Sequence, residues 1–200
     1  MARKTKIVGL GDSTTAGTPG FLSPVEAPPE GRGNPESQYS YWMMKAHPEW
    51  TVLNRGVNGE RSDQIRSRFA RDVAAGRPAV VIILAGVNDI YQGRSTEFVK
   101  KNLEAMYALA ETEGIVPLGA TVLPFDTASK EQTESIQQLN RWVEAACKTT
   151  GRLFCDTNGA VRDRSNPGLL ASSPDGLHPD VAGYKRMGLA LSSTLEHAGY

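Results

Sequence analysis

The sequence predicts an α/β fold built on a five-stranded, mostly parallel sheet with helices on both faces. Three observations carry this expectation. Short apolar runs alternate with amphipathic stretches along the whole chain. The run AVVIILAG (79–86) is continuous and β-branched, as a central strand buried on both faces requires. Five such runs interleaved with helical patterns pack as a sheet between two helical layers. Right-handed crossovers leave few topologies, and strand order 2-1-3-4-5 is the expected one.

The first strand is expected in KIVGL (6–10) and the first helix in YSYWMMKA (39–46). WTVLN (50–54) reads as the second strand. SDQIRSRFARDVAAG (62–76) follows as one helix, with Ile65, Phe69 and Val73 on a single face. After AVVIILAG come a helix from about Thr96 to Glu113, a strand in IVPLGATVL (115–123), a helix from about Ser129 to Thr149 and a strand in RLFCD (152–156). The last helix is expected from Pro179 to about His197, with the proline in its first turn. No internal repeat interrupts the pattern, and 200 residues fit one domain spanning 1–200. The segment 17–38 holds five prolines and four glycines. It is too long for a routine connection, and reads either as a lid or wall of a site or as a surface excursion.

Composition excludes several classes. Lys+Arg and Asp+Glu number 22 each, and a net charge of zero argues against a large nucleic-acid or anionic-membrane footprint. The basic start, MARKTK, reads as the flank of a strand. Cys147 and Cys155 suit neither a disulfide framework nor a zinc site, and free thiols fit a reducing compartment. The apolar run after MARKTK is too short for a signal-peptide core, and no window approaches a membrane span. A soluble cytoplasmic protein is expected; oligomeric state is not readable.

In an open α/β sheet, ligands sit at the carboxyl ends of the strands, beside the point where strand order reverses. The loops at that edge read GDSTTAG after the first strand, NRGVNGERS after the second, GVNDI after the third and SPDGLHPD before the last helix. They hold every polar constellation of the sequence. A dinucleotide fingerprint fails because its third glycine would fall at Thr14, and no P-loop is present. A flavin-phosphate loop in STTAGT (13–18) is a fairer rival, weakened by the charge of Asp12 beside the phosphate.

A serine nucleophile at Ser13 needs a base, usually histidine. His47 precedes a proline at a helix end and reads as a capping or surface residue, and His197 lies near the chain's end. His178 lies on the ligand edge three positions after Asp175, so the carboxylate can fold back onto one ring nitrogen while the other faces outward. A tetrahedral intermediate then needs donors. Asn88 offers a side-chain NH2 across the crevice, and Gly59 a backbone N–H unobstructed by a Cβ.

Gly11-Asp12-Ser13, Gly59, Gly86-Val87-Asn88-Asp89 and Asp175-Gly176-Leu177-His178 together resemble the blocks of the SGNH hydrolases, the GDSL-type lipases and esterases. Their order along the chain agrees; Thr14 stands where the namesake leucine is usual. The resemblance implies a flavodoxin-like three-layer fold and a triad of Ser13 nucleophile, His178 base and Asp175 orienter. It also implies oxyanion donors from the Ser13 N–H, the Gly59 N–H and the Asn88 side chain. Asp12 and Asp89 read as supporting residues, and no metal or organic cofactor is expected. The expected reaction is two-step hydrolysis of carboxylic esters through an acyl-enzyme, on short-acyl soluble substrates. An acyl-CoA thioesterase or lysophospholipase and a carbohydrate O-acetylesterase are alternatives on the same triad. From other classes come a flavin- or nucleotide-binding module, a catalytically silent scaffold, and a phosphoesterase holding metal on Asp12, Asn88, Asp89, Asp175 and His178. Phe21, Leu22 and the segment PFDTASKEQ (124–132) are candidate pocket walls.

Overall fold

The computed structural model describes residues 5–200, so most of the basic cluster, residues 1–4, lies outside the described residues. Strands β1 (Thr5–Gly11), β4 (Trp50–Gly56), β5 (Val80–Leu84), β6 (Val116–Ala120) and β7 (Leu153–Cys155) form one parallel sheet in the order β4-β1-β5-β6-β7. Taken alone, these five strands run 2-1-3-4-5. Numbering along the chain differs because β2 (Phe21–Leu22) and β3 (Arg32–Gly33), unforeseen in the sequence, pair as an antiparallel hairpin within the proline-rich segment.

Both faces of the sheet are covered, which is why the central strand β5 is buried throughout and reads as a continuous apolar run, whereas the edge strand β4 alternates buried and half-buried residues. Side chains of Val8, Leu10, Val81 and Ile83 pack on one face against α3 (Ser62–Ser67), α4 (Phe69–Asp72), α6 (Thr96–Thr112) and α7 (Lys130–Thr150). Ile7, Val80, Ile82 and Leu84 point the other way, onto α2 (Tyr39–Ala46) and α9 (Val181–His197). Short helices α1 (Ser13–Ala16), α5 (Val87–Tyr91) and α8 (Thr157–Val161) start close behind strand ends.

Two expected elements need correction. The pattern over 62–76 is not one helix: it breaks at Arg68 (φ −101°, ψ 6°), whose side chain turns inward. Pro179 lies ahead of the last helix rather than in its first turn. Asp180 is the N-cap and its carboxylate accepts the Gly183 N–H at 2.7 Å, which fixes the start at Val181.

Strand register levels the functional edge. Gly11 pairs with Gly56 of β4 on one side and Leu84 of β5 on the other, so the loops carrying Ser13, Gly59 and Asn88 leave the sheet at the same height. A Cβ on Gly56 would run into the backbone of Ala16, and glycine there lets α1 lie directly on the end of β4.

Candidate active site

Ser13 is the first residue of α1, immediately past the end of β1, and is 8% exposed. Asp12 caps this helix through a 2.9 Å bond from the Thr14 N–H, and Gly17, at φ +106°, ends it one turn later. Being first in the helix, the Ser13 N–H has no intrahelical acceptor.

His178 reaches the same point from the loop before α9. Its Nε2 lies 2.9 Å from Ser13 Oγ, and its Nδ1 2.7 Å from Asp175 Oδ2. The other carboxylate oxygen, Oδ1, accepts the N–H groups of Leu177 at 2.9 Å and His178 at 2.8 Å. Asp175 therefore folds its own loop and orients the ring together. Burial pushes its pKa up, but the bonds from the ring and from the two N–H groups outweigh this and hold it below the usual aspartate value. A carboxylate only accepts, so Nδ1 carries the hydrogen and the Nε2 lone pair faces the serine hydroxyl. Ser173 Oγ donates to the His178 carbonyl at 2.7 Å, and the Asp126 N–H donates to Gly176 O at 2.7 Å, pinning the loop from both sides.

Gly59 and Asn88 line the same cleft as Ser13 and His178. Asn88 Nδ2 gives one hydrogen to Glu60 O at 3.0 Å and keeps its second donor. Gly59 sits at φ +74°, and a Cβ there would meet nothing within 4 Å, so its backbone conformation, rather than crowding by the protein, calls for glycine. Asp89 is fully buried and accepts both the N–H and the Oγ–H of Ser62 at 2.8 Å, tying α5 to the start of α3. Asn88 stands one residue before Asp89 on the same helix.

Asp12 is almost fully buried, and burial pushes its pKa from 3.8 up to about 7 against the lowering effect of the Thr14 N–H. Between those values the native carboxyl keeps a proton that the unfolded chain has lost, so this group makes stability fall as pH rises through the window. Asparagine caps as well as aspartate. Asp12→Asn should therefore be more stable than the wild type above about pH 7, with the gain fading toward pH 4; melting temperatures across pH 4–8 measure it. A difference that does not change with pH would contradict this account.

The cleft holds about 280 Å³ and carries an apolar wall of Val87, Tyr91, Phe125 and Leu177. Tyr91 meets Phe125 edge-on at 5.8 Å and is itself 57% exposed. Phe125 comes from the 124–132 segment named as a candidate wall. Phe21 and Leu22 do not line the cleft: they form the hairpin, where Phe21 is buried, and Thr18, hydrogen-bonded to Asn58, is the lining residue from their segment. The proline-rich stretch braces the Gly59 loop instead, Glu26 accepting the Asn58 N–H at 2.9 Å. Sequence reasoning missed Thr18, Asn58 and Tyr91; a lone aromatic five residues past Gly86 was the available signal for the last.

The other histidines lie elsewhere. His47 ends α2, stacks on Trp50 at 3.8 Å and faces Glu49 and Glu196, and His197 bonds back to Ser193 O. Among the described residues no three of His, Cys, Asp and Glu group so as to hold a metal. A second cavity, of about 290 Å³ between α7 and the 162–168 segment, contains neither Ser13 nor His178.

A hydroxyl, an imidazole and a carboxylate in line at the carboxyl edge of a three-layer parallel sheet define a hydrolase scaffold. The chain belongs to the GDSL-like Lipase/Acylhydrolase family, whose model matches residues 10–186. It is 28% identical to an acetylxylan esterase of Geobacillus stearothermophilus, over 90% of this chain and 88% of that one. It is 27% identical to esterase TesA of Pseudomonas aeruginosa, over 70% and 66%. A solved structure of a G-D-S-L-family lipolytic protein from Desulfitobacterium hafniense superposes with a TM-score of 0.77 at 28% identity, over 96% and 99%. The protein is a carboxylic ester hydrolase, and the flavin-carrier reading is not favoured. No helix of the described residues is long and apolar enough to cross a membrane.

Proposed function

We propose that this enzyme hydrolyses short-acyl carboxylic esters, acetyl esters foremost, with Ser13 as nucleophile. The unbroken chain from Ser13 through His178 to Asp175 is the observation that carries the reading. His178 Nε2 takes the hydroxyl proton as Oγ attacks the ester carbonyl, and the imidazolium is stabilised by Asp175. The Ser13 and Gly59 N–H groups and the Asn88 amide receive the charge on the carbonyl oxygen. The imidazolium then protonates the leaving alcohol. Water, deprotonated by the same ring, releases the acid and restores Ser13.

The preference for short chains rests on size. A cleft of about 280 Å³ lies at the small end for ligand sites and must admit both acyl and alcohol parts. The exposed Tyr91 and the partly exposed Leu177 at its rim offer a flat apolar surface to the alcohol. A sugar acetate is the second reading, supported by the acetylxylan esterase among the relatives and by an aromatic at the rim on which a sugar ring can lie. Cytoplasmic residence remains our reading, supported by the two buried free thiols.

A series of p-nitrophenyl esters from two to ten acyl carbons, run beside an acetylated xylo-oligosaccharide and an acyl-CoA, tests this. kcat/KM should be highest for acetate and fall by about tenfold or more by eight carbons. A rate that climbs with chain length, or that is highest for the acyl-CoA, would remove the short-acyl assignment.

A further inference from the structure

The inward turn at Arg68 puts a guanidinium beneath the cleft, with its side chain only 6% exposed. Its Nη2 donates to Gly11 O at 2.7 Å, and its Nη1 donates to Arg55 O at 2.8 Å and to Asp72 Oδ2 at 2.7 Å. Its Nε donates to Glu60 Oε2 at 2.6 Å. These acceptors are not scattered. Gly11 closes β1 two residues before Ser13, and Arg55 is the penultimate residue of β4. Glu60 adjoins Gly59, and its carbonyl is the acceptor for the Asn88 amide. One planar group thus bonds directly to the segment that delivers Ser13 and to the segment that delivers Gly59, and reaches Asn88 through the backbone of Glu60.

Resting on the serine-esterase reading above, we infer that Arg68 is a positioning residue that holds Ser13, Gly59 and Asn88 at a common height around the reacting carbonyl. Sheet hydrogen bonds alone stop at this level. β1 and β4 are paired through Gly11 and Gly56, and beyond them the Val57 N–H donates to Gly11 O at 3.1 Å. The guanidinium shares that carbonyl and extends the tie outward to Glu60. Lysine cannot replace it, because a single ammonium lacks the rigid fork that reaches two carbonyls and two carboxylates together. The two carboxylates, Glu60 and Asp72, balance the buried charge that this arrangement requires.

A purely structural arginine would cost stability and leave turnover per folded molecule alone. A positioning arginine changes kcat, because a displacement of about 1 Å between nucleophile and donors can cost on the order of 100-fold. Arg68→Lys and Arg68→Met are therefore compared with Leu195→Ala, a buried truncation on α9 away from the cleft. Each is assayed on p-nitrophenyl acetate well below its own melting temperature, with active enzyme counted by burst titration. The expected result is a kcat lowered about 10- to 100-fold in both Arg68 variants with KM within about threefold, while Leu195→Ala loses stability and keeps kcat within about twofold. If the Arg68 variants do not fold, Glu60→Gln, which leaves the arginine and every backbone bond in place, should still lower kcat by about threefold or more. Unchanged kcat in whichever of these variants folds overturns the positioning role. Ser13→Ala in the same assay separates the two failures: if it is inactive while Arg68→Lys turns over normally, the positioning role alone falls; if it is active, both readings fall.

Discussion

Ser13→Ala should lower kcat by roughly 10⁴- to 10⁶-fold and leave the fold and melting temperature nearly unchanged. The exchange removes a single oxygen whose face opens onto the cleft rather than into the apolar core, so little packing is lost. What disappears is the only hydroxyl facing His178 Nε2 in the described hydrogen bonds. The remaining groups could still bind an ester and polarise its carbonyl, which is why some rate above the uncatalysed one should persist. A serine-reactive phosphonate should label the wild type at Ser13 and leave the variant unmodified. A folded Ser13→Ala protein that keeps more than a few per cent of its activity would require another nucleophile.

Asp175→Asn should cost nearly as much, about 10³- to 10⁴-fold in kcat, for a different reason. The amide preserves shape, and its oxygen can still accept the N–H groups of Leu177 and His178 that fold the loop. Its NH2 would then face His178 Nδ1, favouring the ring form protonated on Nε2, the nitrogen that must receive the serine proton. The native carboxylate is held below its usual pKa, so it stays ionised through the mildly acidic range and keeps accepting from the ring. The depressed carboxylate also stabilises the fold above its unfolded pKa, and this contribution is lost as pH falls through its folded value. Asp175→Asn should therefore flatten the acid end of the melting curve as well as lower turnover. A variant with near-native kcat would show that the ring is oriented by something else.

Much of this was legible before any coordinates. The central strand declared itself through its unbroken β-branched run, because a strand covered on both faces has no polar side to display. Helix α7 was placed to within a residue at either end, and the structure marks those ends with a capping box of Ser129 and Gln132 and with Gly151 at φ +72°. The loops that meet in the cleft were readable because strand order fixes which carboxyl ends adjoin. Arg68 was not. With Asp72 it occupies the apolar stripe of Ile65, Phe69 and Val73, at i+3 and i+7 from Ile65. A charged pair on a buried face was the available signal, but nothing in the helical pattern points to the strand-end carbonyls of Gly11 and Arg55 that the guanidinium reaches.

The sequence by itself determined the kinds of group present, the order in which they occur and the edge of the sheet where they gather, because periodicity and turn chemistry act over a few neighbouring residues. Only the tertiary structure decided how closely Ser13 and His178 approach across 165 positions, which aromatic borders the cleft and where the proline-rich segment lies. Those outcomes depend on register between strands and on hydrogen bonds between distant segments, and no local pattern encodes a distance of that kind.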